Sequence, residues 1–185
     1  MELLRITQEH PYLGIIQPWY EVSFPPEERR EFAQLRQLLG CSEMYMNVLL
    51  EEQRPVGFII YWRWDDLLYI EHFAIDPELR GKQVGQKVLP LIINLGSRYM
   101  ILEVELPNDP VSQSRIRFYE RAGFVLNQFE YLQPPYRLDG IGVPMKLMSM
   151  PAIADIAMFD RLSSFLKENV YERFYQADST YKPIG

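Results

Sequence analysis

The feature that most constrains this chain is a change of hydrophobic period at one glycine-containing turn. Residues 67–76, "LLYIEHFAID", form an apolar stretch typical of a strand, and Asp76-Pro77 ends it. In "DPELRGKQVGQKVL", residues 76–89, two glycines and two basic residues precede apolar positions at helical spacing. A strand, a tight turn and a helix in this order predict an α/β or α+β arrangement around a sheet.

Apolar runs and helical spacing extend this pattern in both directions along the chain. Upstream, two apolar runs flank the polar residues 51–55, which predicts two antiparallel strands joined by a turn. Further strands are predicted over residues 99–106, 124–132 and 144–150. Helices are predicted over residues 26–39, 84–98 and 111–123, the last closed by Gly123. We therefore expect an α/β (α+β) fold with a mixed sheet.

The last part of the chain has a different character. Residues 152–176 carry apolar positions at helical spacing, which predicts an amphipathic helix in one piece or two. Residues 177–185 are predicted to be a tail. We divide the chain into a main domain over residues 1–150 and a helical extension over residues 151–185, packed on that domain or on a partner.

Composition excludes several classes of protein. The chain has 185 residues, of which 48% are hydrophobic, so one domain with a buried core is expected. Its formal net charge of −6 argues against nucleic acid as a partner. A single cysteine, Cys41, permits no internal disulfide and favours a cytoplasmic location. No apolar run approaches membrane-spanning length, and neither His10 nor His72 belongs to a metal-binding cluster.

The turn at residues 80–86 has the chemistry of an anion site. Arg80 and Lys82 supply positive charge, Gly81 and Gly85 let a ligand approach the backbone, and a helix N-terminus leaves N–H groups unpaired. Residues 80–121 contain seven basic and four acidic residues, which suits a small anionic ligand. The motifs GxGxxG and GxxxxGK[ST] are absent. On spacing alone, a structural turn with solvated charges is an equal alternative.

Three motifs in one order resemble the GNAT superfamily of N-acyltransferases. "RGKQVG" resembles its acyl-CoA pyrophosphate loop, Arg/Gln-x-x-Gly-x-Gly/Ala, with Gln83 where the middle glycine is usual. "ILEVELPND" resembles the following strand with its Asn, and "SRIRFYERAGF" resembles the later Tyr-Glu-x-x-Gly-Phe segment. The resemblance covers residues 67–124. It implies a GNAT-like, mostly antiparallel central sheet flanked by helices, here with an extra C-terminal helical segment.

The resemblance also implies acetyl-CoA as co-substrate and indicates where it binds. Backbone N–H groups of the turn would hold the pyrophosphate. The backbone near residues 73–75 would pair with the pantetheine arm and stabilise the thioester oxygen. Arg121 is a further candidate for the CoA phosphates. The residues predicted to bind the cofactor are Phe73, Ala74, Ile75, Arg80, Gly81, Lys82, Gln83, Val84, Gly85, Gln86, Asn108, Arg115 and Tyr119.

Acyl transfer to an amine requires a base. A free alkyl amine titrates near the lysine value of roughly 10.4, so a carboxylate must take its proton, directly or through water. The resemblance implies Glu71 for this role or, on the next strand, Glu103; the alternative is an exposed strand carboxylate without a catalytic role. Strand alternation predicts Glu71, Phe73 and Ile75 on one face of the sheet and His72 on the opposite face.

The reaction also requires an acid and an acceptor site. Tyr119 matches the family's tyrosine that protonates the departing CoA thiolate; its alternative is a core aromatic. The candidate substrate-binding residues are Tyr20, Phe24, Glu28, Tyr131, Tyr136 and Arg137. Aromatic and acidic side chains suit a cationic amine, whereas Arg137 suits an acceptor that bears a carboxylate. The sequence leaves both open.

Together these observations predict an N-acetyltransferase that moves an acetyl group from acetyl-CoA to a primary amine of a small molecule or peptide. The transfer would be direct, in a ternary complex, without a metal. We expect no nucleic-acid or membrane partner and leave a homodimer open. The alternative is a non-catalytic acyl-CoA-binding regulatory module on the same fold.

Overall fold

The computed structural model of the protein describes residues 1–175. Its strands are β1 Glu2–Ile6, β2 Met44–Glu51, β3 Arg54–Arg63, β4 Leu67–Ile75, β5 Tyr99–Glu105, β6 Val125–Leu126, β7 Tyr131–Gln133 and β8 Val143–Met150. They form one sheet in the order β1-β2-β3-β4-β5-β8-β6, and β7 also pairs with β8. Every pairing is antiparallel except that of β4 with β5. The predicted mixed, mostly antiparallel sheet is confirmed.

Within residues 1–175, five α-helices connect or cover these strands. They are α1 Leu13–Ser23, α2 Phe32–Gln37, α3 Val84–Ile93, α4 Pro110–Arg121 and α5 Ile156–Leu166. The start of α4 is determined locally, because the Asp109 carboxylate accepts hydrogen bonds from the backbone N–H groups of Val111 and Ser112. The end of α4 is also determined locally, because Gly123 adopts a φ of +99° and forms the predicted left-handed cap.

The N-terminal third differs most from the sequence-based expectation. Strand β1 and helix α1 were not predicted; α1 contains Pro18, which usually signals the end of a helix. The predicted helix over residues 26–39 is instead a 3₁₀ turn at Pro26–Glu28 followed by the short helix α2. Arg29 is extended between them, so the helical hydrogen-bond ladder is interrupted.

Three later boundaries also differ. The helix predicted over residues 84–98 ends at Ile93, because Gly96 adopts a φ of +68°. The strand predicted over residues 124–132 is divided into β6 and β7. The C-terminal helix begins at Ile156, and a π-helical turn, Lys167–Tyr171, and a 3₁₀ turn, Glu172–Phe174, extend it. The predicted tail and Gln176 lie outside the described residues.

The sheet has a hydrophobic core on each side. Helices α1, α2 and α5 cover what we call the first face, and buried residues from them pack with Phe58, Trp62 and Tyr69. Helices α3 and α4 cover the second face and pack against Ile70 and Leu102. The C-terminal segment, residues 156–175, belongs to the first-face core because Phe159, Leu166, Val170 and Tyr171 are buried in it.

The centre of the sheet opens between its two parallel strands. Strands β4 and β5 pair only from Leu67↔Tyr99 to Ile70↔Leu102. Both strands continue beyond this point, to Ile75 and Glu105, without pairing to each other. The backbone groups along the opening are therefore available to a ligand.

Candidate active site

A cavity of about 550 Å³ occupies the opening between β4 and β5. Its walls come from the end of α1, residues 70–75 of β4, residues 102–105 of β5, and α4. The turn before α3 also lines the cavity. Cavities of this size are typical of small-molecule sites.

The turn before α3 has a backbone conformation suited to an anion. Gly81 and Gln83 both have left-handed backbones, with φ values of +78° and +61°. Helix α3 then starts at Val84, so N–H groups at its N-terminus lack the carbonyl partners of a preceding turn, apart from that of Gln86, which donates to the Gln83 carbonyl at 3.1 Å. Arg80 is held beside this turn because its guanidinium donates a 2.8 Å hydrogen bond to Ser23 Oγ.

Gly85 lies where α3 approaches two aromatic side chains. A Cβ at this position would lie 3.2 Å from Phe118 Cζ and 3.6 Å from Phe73 Cζ. A larger side chain at Gly85 would therefore press on the cavity wall. The glycine expected for close ligand approach also permits close packing between α3 and α4.

Helix α4 contributes charge and a phenol to the opposite wall. Arg115 forms an ion pair with Glu105 of β5, and both line the cavity. Tyr119, one turn further along the helix, also lines it. Burial raises the pKa of Tyr119 to about 12, so the hydroxyl is protonated at neutral pH. A protonated phenol in this position can donate a proton or a hydrogen bond.

A β-bulge in β4 changes which side chains face the first-face core. Ile60 of β3 pairs with His72 and Tyr61 pairs with Ile70, so Glu71 is the extra residue. Glu71 and His72 consequently both point to the first face, although alternation predicted them on opposite faces. The prediction that Glu71 shares a face with Phe73 is wrong for the same reason, since Phe73 packs in the second-face core.

The Glu71 carboxylate is fully buried and has partners. It accepts a 2.7 Å hydrogen bond from Trp62 Nε1 and lies 3.4 Å from the buried Arg30 Nε. His72 packs edge-on against Phe24, at 4.4 Å between ring centroids. Burial lowers the pKa of His72, so the imidazole is neutral at pH 7. Only the backbone side of this bulge faces the open cavity.

Glu103 sits in a cage of hydrogen-bond donors. Its Oε2 accepts hydrogen bonds from Tyr69, at 2.8 Å, and Gln133, at 2.6 Å. Its Oε1 accepts one from Tyr131, and the Tyr171 hydroxyl lies within 2.9 Å of both oxygens. Burial raises the pKa of the Glu103 carboxyl, and the four donors act in the opposite direction. The lone pairs of this carboxylate are therefore largely used within the protein.

Glu28 is a different kind of carboxylate. It follows α1 in the 3₁₀ turn, is half-buried, and lines the cavity. Burial, followed by the negative charge of Glu105, raises its pKa to about 7. Its backbone carbonyl lies 3.2 Å from His72 Nε2, a contact that holds the turn against β4.

A family model described as the acetyltransferase (GNAT) family matches residues 11–124. The chain belongs to the GNAT acetyltransferase family. The match includes the cavity residues from α1 to α4 and ends before β6, so it leaves out Tyr131, Gln133 and the C-terminal segment. No curated protein sequence matches the chain.

Solved structures agree with the GNAT assignment. A Bacteroides thetaiotaomicron protein assigned to the GNAT family is 32% identical, with a TM-score of 0.85 over 92% of this chain and 98% of that one. The ribosomal-protein-S18-alanine N-acetyltransferase of Escherichia coli is 19% identical, with a TM-score of 0.58 over 84% and 97%. An aminoglycoside 6'-N-acetyltransferase complexed with coenzyme A is 14% identical, with a TM-score of 0.59 over 84% and 100%.

Within this GNAT fold, most predicted cofactor-binding residues line the cavity. Those that do are Phe73, Ala74, Ile75, Arg80, Gly81, Gln83, Val84, Gly85, Gln86, Arg115 and Tyr119. Lys82 and Asn108 are exposed and do not line it. Asn108 lies in the loop before α4, where its backbone N–H donates to the Leu106 carbonyl at 2.7 Å. Arg121, also proposed for the phosphates, lies on the cavity wall.

The predicted acceptor residues separate into three groups. Phe24 and Glu28 line the cavity. Tyr20, Tyr131 and Tyr136 are buried in the first-face core and do not line it. Arg137 is exposed and forms an ion pair with Glu31. The structure thus brings only the first group to the cavity surface, and roles in acceptor binding stay predictions for all six.

Sequence reasoning missed several polar residues around this GNAT cavity. Arg30, Gln133, Tyr69 and Tyr171 contact Glu71 or Glu103 from distant parts of the chain. The one available signal in the sequence was Arg30, which lies two positions after Glu28, a residue predicted to bind the acceptor.

Among residues 1–175, no helix is long and apolar enough to cross a membrane. Within the same residues, no three His, Cys, Asp or Glu side chains are grouped to hold a metal.

Proposed function

We propose that this GNAT protein transfers an acetyl group from acetyl-CoA to a primary amine of a small molecule or peptide, directly in a ternary complex. The observation that carries the proposal is one continuous cavity. It joins the turn before α3, which has the chemistry for a diphosphate, to a protonated tyrosine and several glutamates. The two substrates would meet between the diverging strands.

The residues of this chain fit the cofactor. Backbone N–H groups at Gly81 and at the start of α3 would hold the pyrophosphate, and Arg80 would add charge. Residues 73–75 pair with β3 but not with β5, so their remaining backbone groups are available. These groups would pair with the pantetheine arm and donate to the thioester oxygen as it gains charge.

The chemistry follows from the two walls of the cavity. A cavity carboxylate takes one proton from the ammonium group, and the neutral nitrogen forms a bond to the thioester carbon. The C–S bond then breaks, and Tyr119 gives its proton to the CoA thiolate. The second proton lost from nitrogen restores the tyrosine. Because burial keeps Tyr119 protonated, it is ready to act at neutral pH.

The comparisons support this class of reaction. The Escherichia coli relative acts on a protein alanine, and the aminoglycoside enzyme was obtained with coenzyme A. Both act on amines. Their low identity to this chain supports the amine class and does not select a substrate.

The first test separates binding from turnover. Acetyl-CoA at 100 times its Kd stabilises a protein by about 2.7 kcal/mol. For a chain of this length we expect Tm to rise by about 5–10 °C. An amine panel monitored by thiol release should then reveal acceptor-dependent turnover. Binding without turnover would favour the regulatory module, and no binding would favour an interaction domain.

The second test concerns the acid. We expect Tyr119→Phe to lower kcat by about 100-fold or more and to leave the Kd for acetyl-CoA within about threefold. Tyr45→Phe is the matched control, because Tyr45 stacks on Tyr61 away from the cavity. Unchanged turnover in Tyr119→Phe across the pH range would remove the acid role.

A further inference from the structure

Four glutamates lie on or beside the cavity, and three of them have partners within the protein. Glu71 is bound to Trp62 and Arg30. Glu105 forms an ion pair with Arg115. Glu103 has four donors around its two oxygens. Accepting a proton from a substrate would remove the negative charge that strengthens the internal contacts of each of these carboxylates.

Glu28 is the remaining member of this group. Among residues 1–175, its carboxylate forms no hydrogen bond or ion pair, although the side chain borders the cavity. The turn that carries it is held by the contact between its carbonyl and His72. The carboxylate is thus positioned by its backbone and open to a ligand.

Two of the charged groups around Glu28 also interact with Tyr119, the proposed acid. The ionisable groups that face it are Glu27, Arg115, Glu105, Glu103 and His72. Tyr119 also interacts with Arg115 and Glu105. Glu28, Tyr119 and the Arg115–Glu105 ion pair thus all border the one cavity. This arrangement places an unpaired carboxylate and a protonated phenol around one space.

We propose that Glu28 is the general base of the reaction, taking the proton of the incoming ammonium group. The inference rests on the proposed acetyl transfer and assigns one of its steps. The proton passes from the ammonium nitrogen to a Glu28 oxygen and leaves to solvent after the C–N bond has formed. Since burial and Glu105 raise the pKa of Glu28 to about 7, the carboxylate can exchange this proton near neutral pH.

The test compares two neighbouring glutamates. Glu28→Gln should lower kcat by about 100-fold and remove the acidic limb near pH 7 from the pH profile of kcat/KM. The KM for acetyl-CoA should not change. Glu27→Gln is the matched control, because Glu27 is exposed in the same 3₁₀ turn and does not line the cavity. It should keep the rate and the limb, with only a small shift of the limb to lower pH, because the charge of Glu27 is a minor cause of the raised pKa of Glu28.

Other results would overturn the assignment. If Glu28→Gln raised only the KM for the amine, Glu28 would bind the acceptor without acting as base. If the limb persisted in Glu28→Gln and disappeared in Glu103→Gln, Glu103 would be the base. A Glu28 carboxyl that titrates near 4.5 by carbon-13 NMR would also contradict it. Absence of turnover in the unsubstituted protein with every amine would instead refute the proposed function.

Discussion

At the scale of single residues, Arg30 is the group whose burial is energetically the most costly. Its guanidinium is 2% exposed and lies between the Glu71 carboxylate, the Val170 carbonyl and the ring of Tyr136. A buried charge is tolerated only when opposite charge and hydrogen bonds replace its lost water. Arg30 therefore holds together the bulge in β4, the loop that carries Tyr136, and the C-terminal segment.

This environment predicts a large stability effect. Arg30→Met leaves the buried Glu71 without its counter-charge, so the free energy of unfolding should fall by about 3–5 kcal/mol. Adding Glu71→Gln to this variant should recover part of the loss. Urea unfolding of the unsubstituted protein, Arg30→Met and the double variant measures these changes. Arg36→Met, which removes an exposed pair with Glu9, is the control and should change stability by less than about 1 kcal/mol.

At the scale of elements, the turn before α3 combines the predicted pyrophosphate site with a strained backbone. Gln83 occupies a left-handed conformation at the position where the family loop usually has glycine. A residue with a Cβ pays roughly 1–2 kcal/mol for this conformation. Glutamine in place of glycine at position 83 therefore lowers the stability of the protein, while the left-handed backbone conformation at this position is kept.

Relief of that strain is measurable. Gln83→Gly should raise the free energy of unfolding by about 0.5–1 kcal/mol, after allowance for the greater entropy of glycine in the unfolded chain. The Kd for acetyl-CoA should stay within about threefold by calorimetry. Lys82→Gly tests the neighbouring position, where φ is not positive, and should lower stability by about 0.4–1 kcal/mol. Equal changes in the free energy of unfolding at both positions would contradict the backbone strain inferred at Gln83.

At the scale of the whole molecule, the C-terminal segment completes the centre of the protein. Tyr171 is fully buried, and its hydroxyl contacts both Glu103, 68 positions away in sequence, and Tyr69. The π-helical turn that contains Tyr171 widens the helix at this point, as such turns often do near functional sites. The segment lies outside the family match, yet it supports β5 beneath the cavity.

A single hydroxyl tests this connection. Tyr171→Phe removes a donor from a buried carboxylate, so stability at pH 8 should fall by about 1.5–3 kcal/mol. The loss should shrink as pH is lowered, because protonation of Glu103 removes the charge that the donor stabilises. Tyr175→Phe removes a hydroxyl bound to the neutral Pro135 carbonyl, and should show a smaller, pH-independent loss. Urea unfolding at pH 8 and pH 5 distinguishes them.

Local patterns predicted the parts of the molecule that local physics determines. The strand–turn–helix unit around Gly81 and the Gly123 cap of α4 follow from short stretches of sequence, and the family resemblance indicated Tyr119, which lines the cavity. The bulge at Glu71 was not predictable, because its hydrophobic pattern is that of a regular strand. Helix α1 was missed because Pro18, tolerated here inside the helix, is usually a stop signal.

The sequence by itself determined the class of fold, the family and the position of the turn predicted to bind an anion, because each depends on residues close together along the chain. Only the tertiary structure decided which of the glutamate carboxylates already have hydrogen-bond or ion-pair partners within the protein. Glu71 and Glu103 are bound by Arg30 and Tyr171, whose distance along the chain hides the pairing from any local pattern. Glu28 is distinguished only by the contacts that it lacks among the described residues. The proposal of Glu28 as the base thus depends on long-range packing.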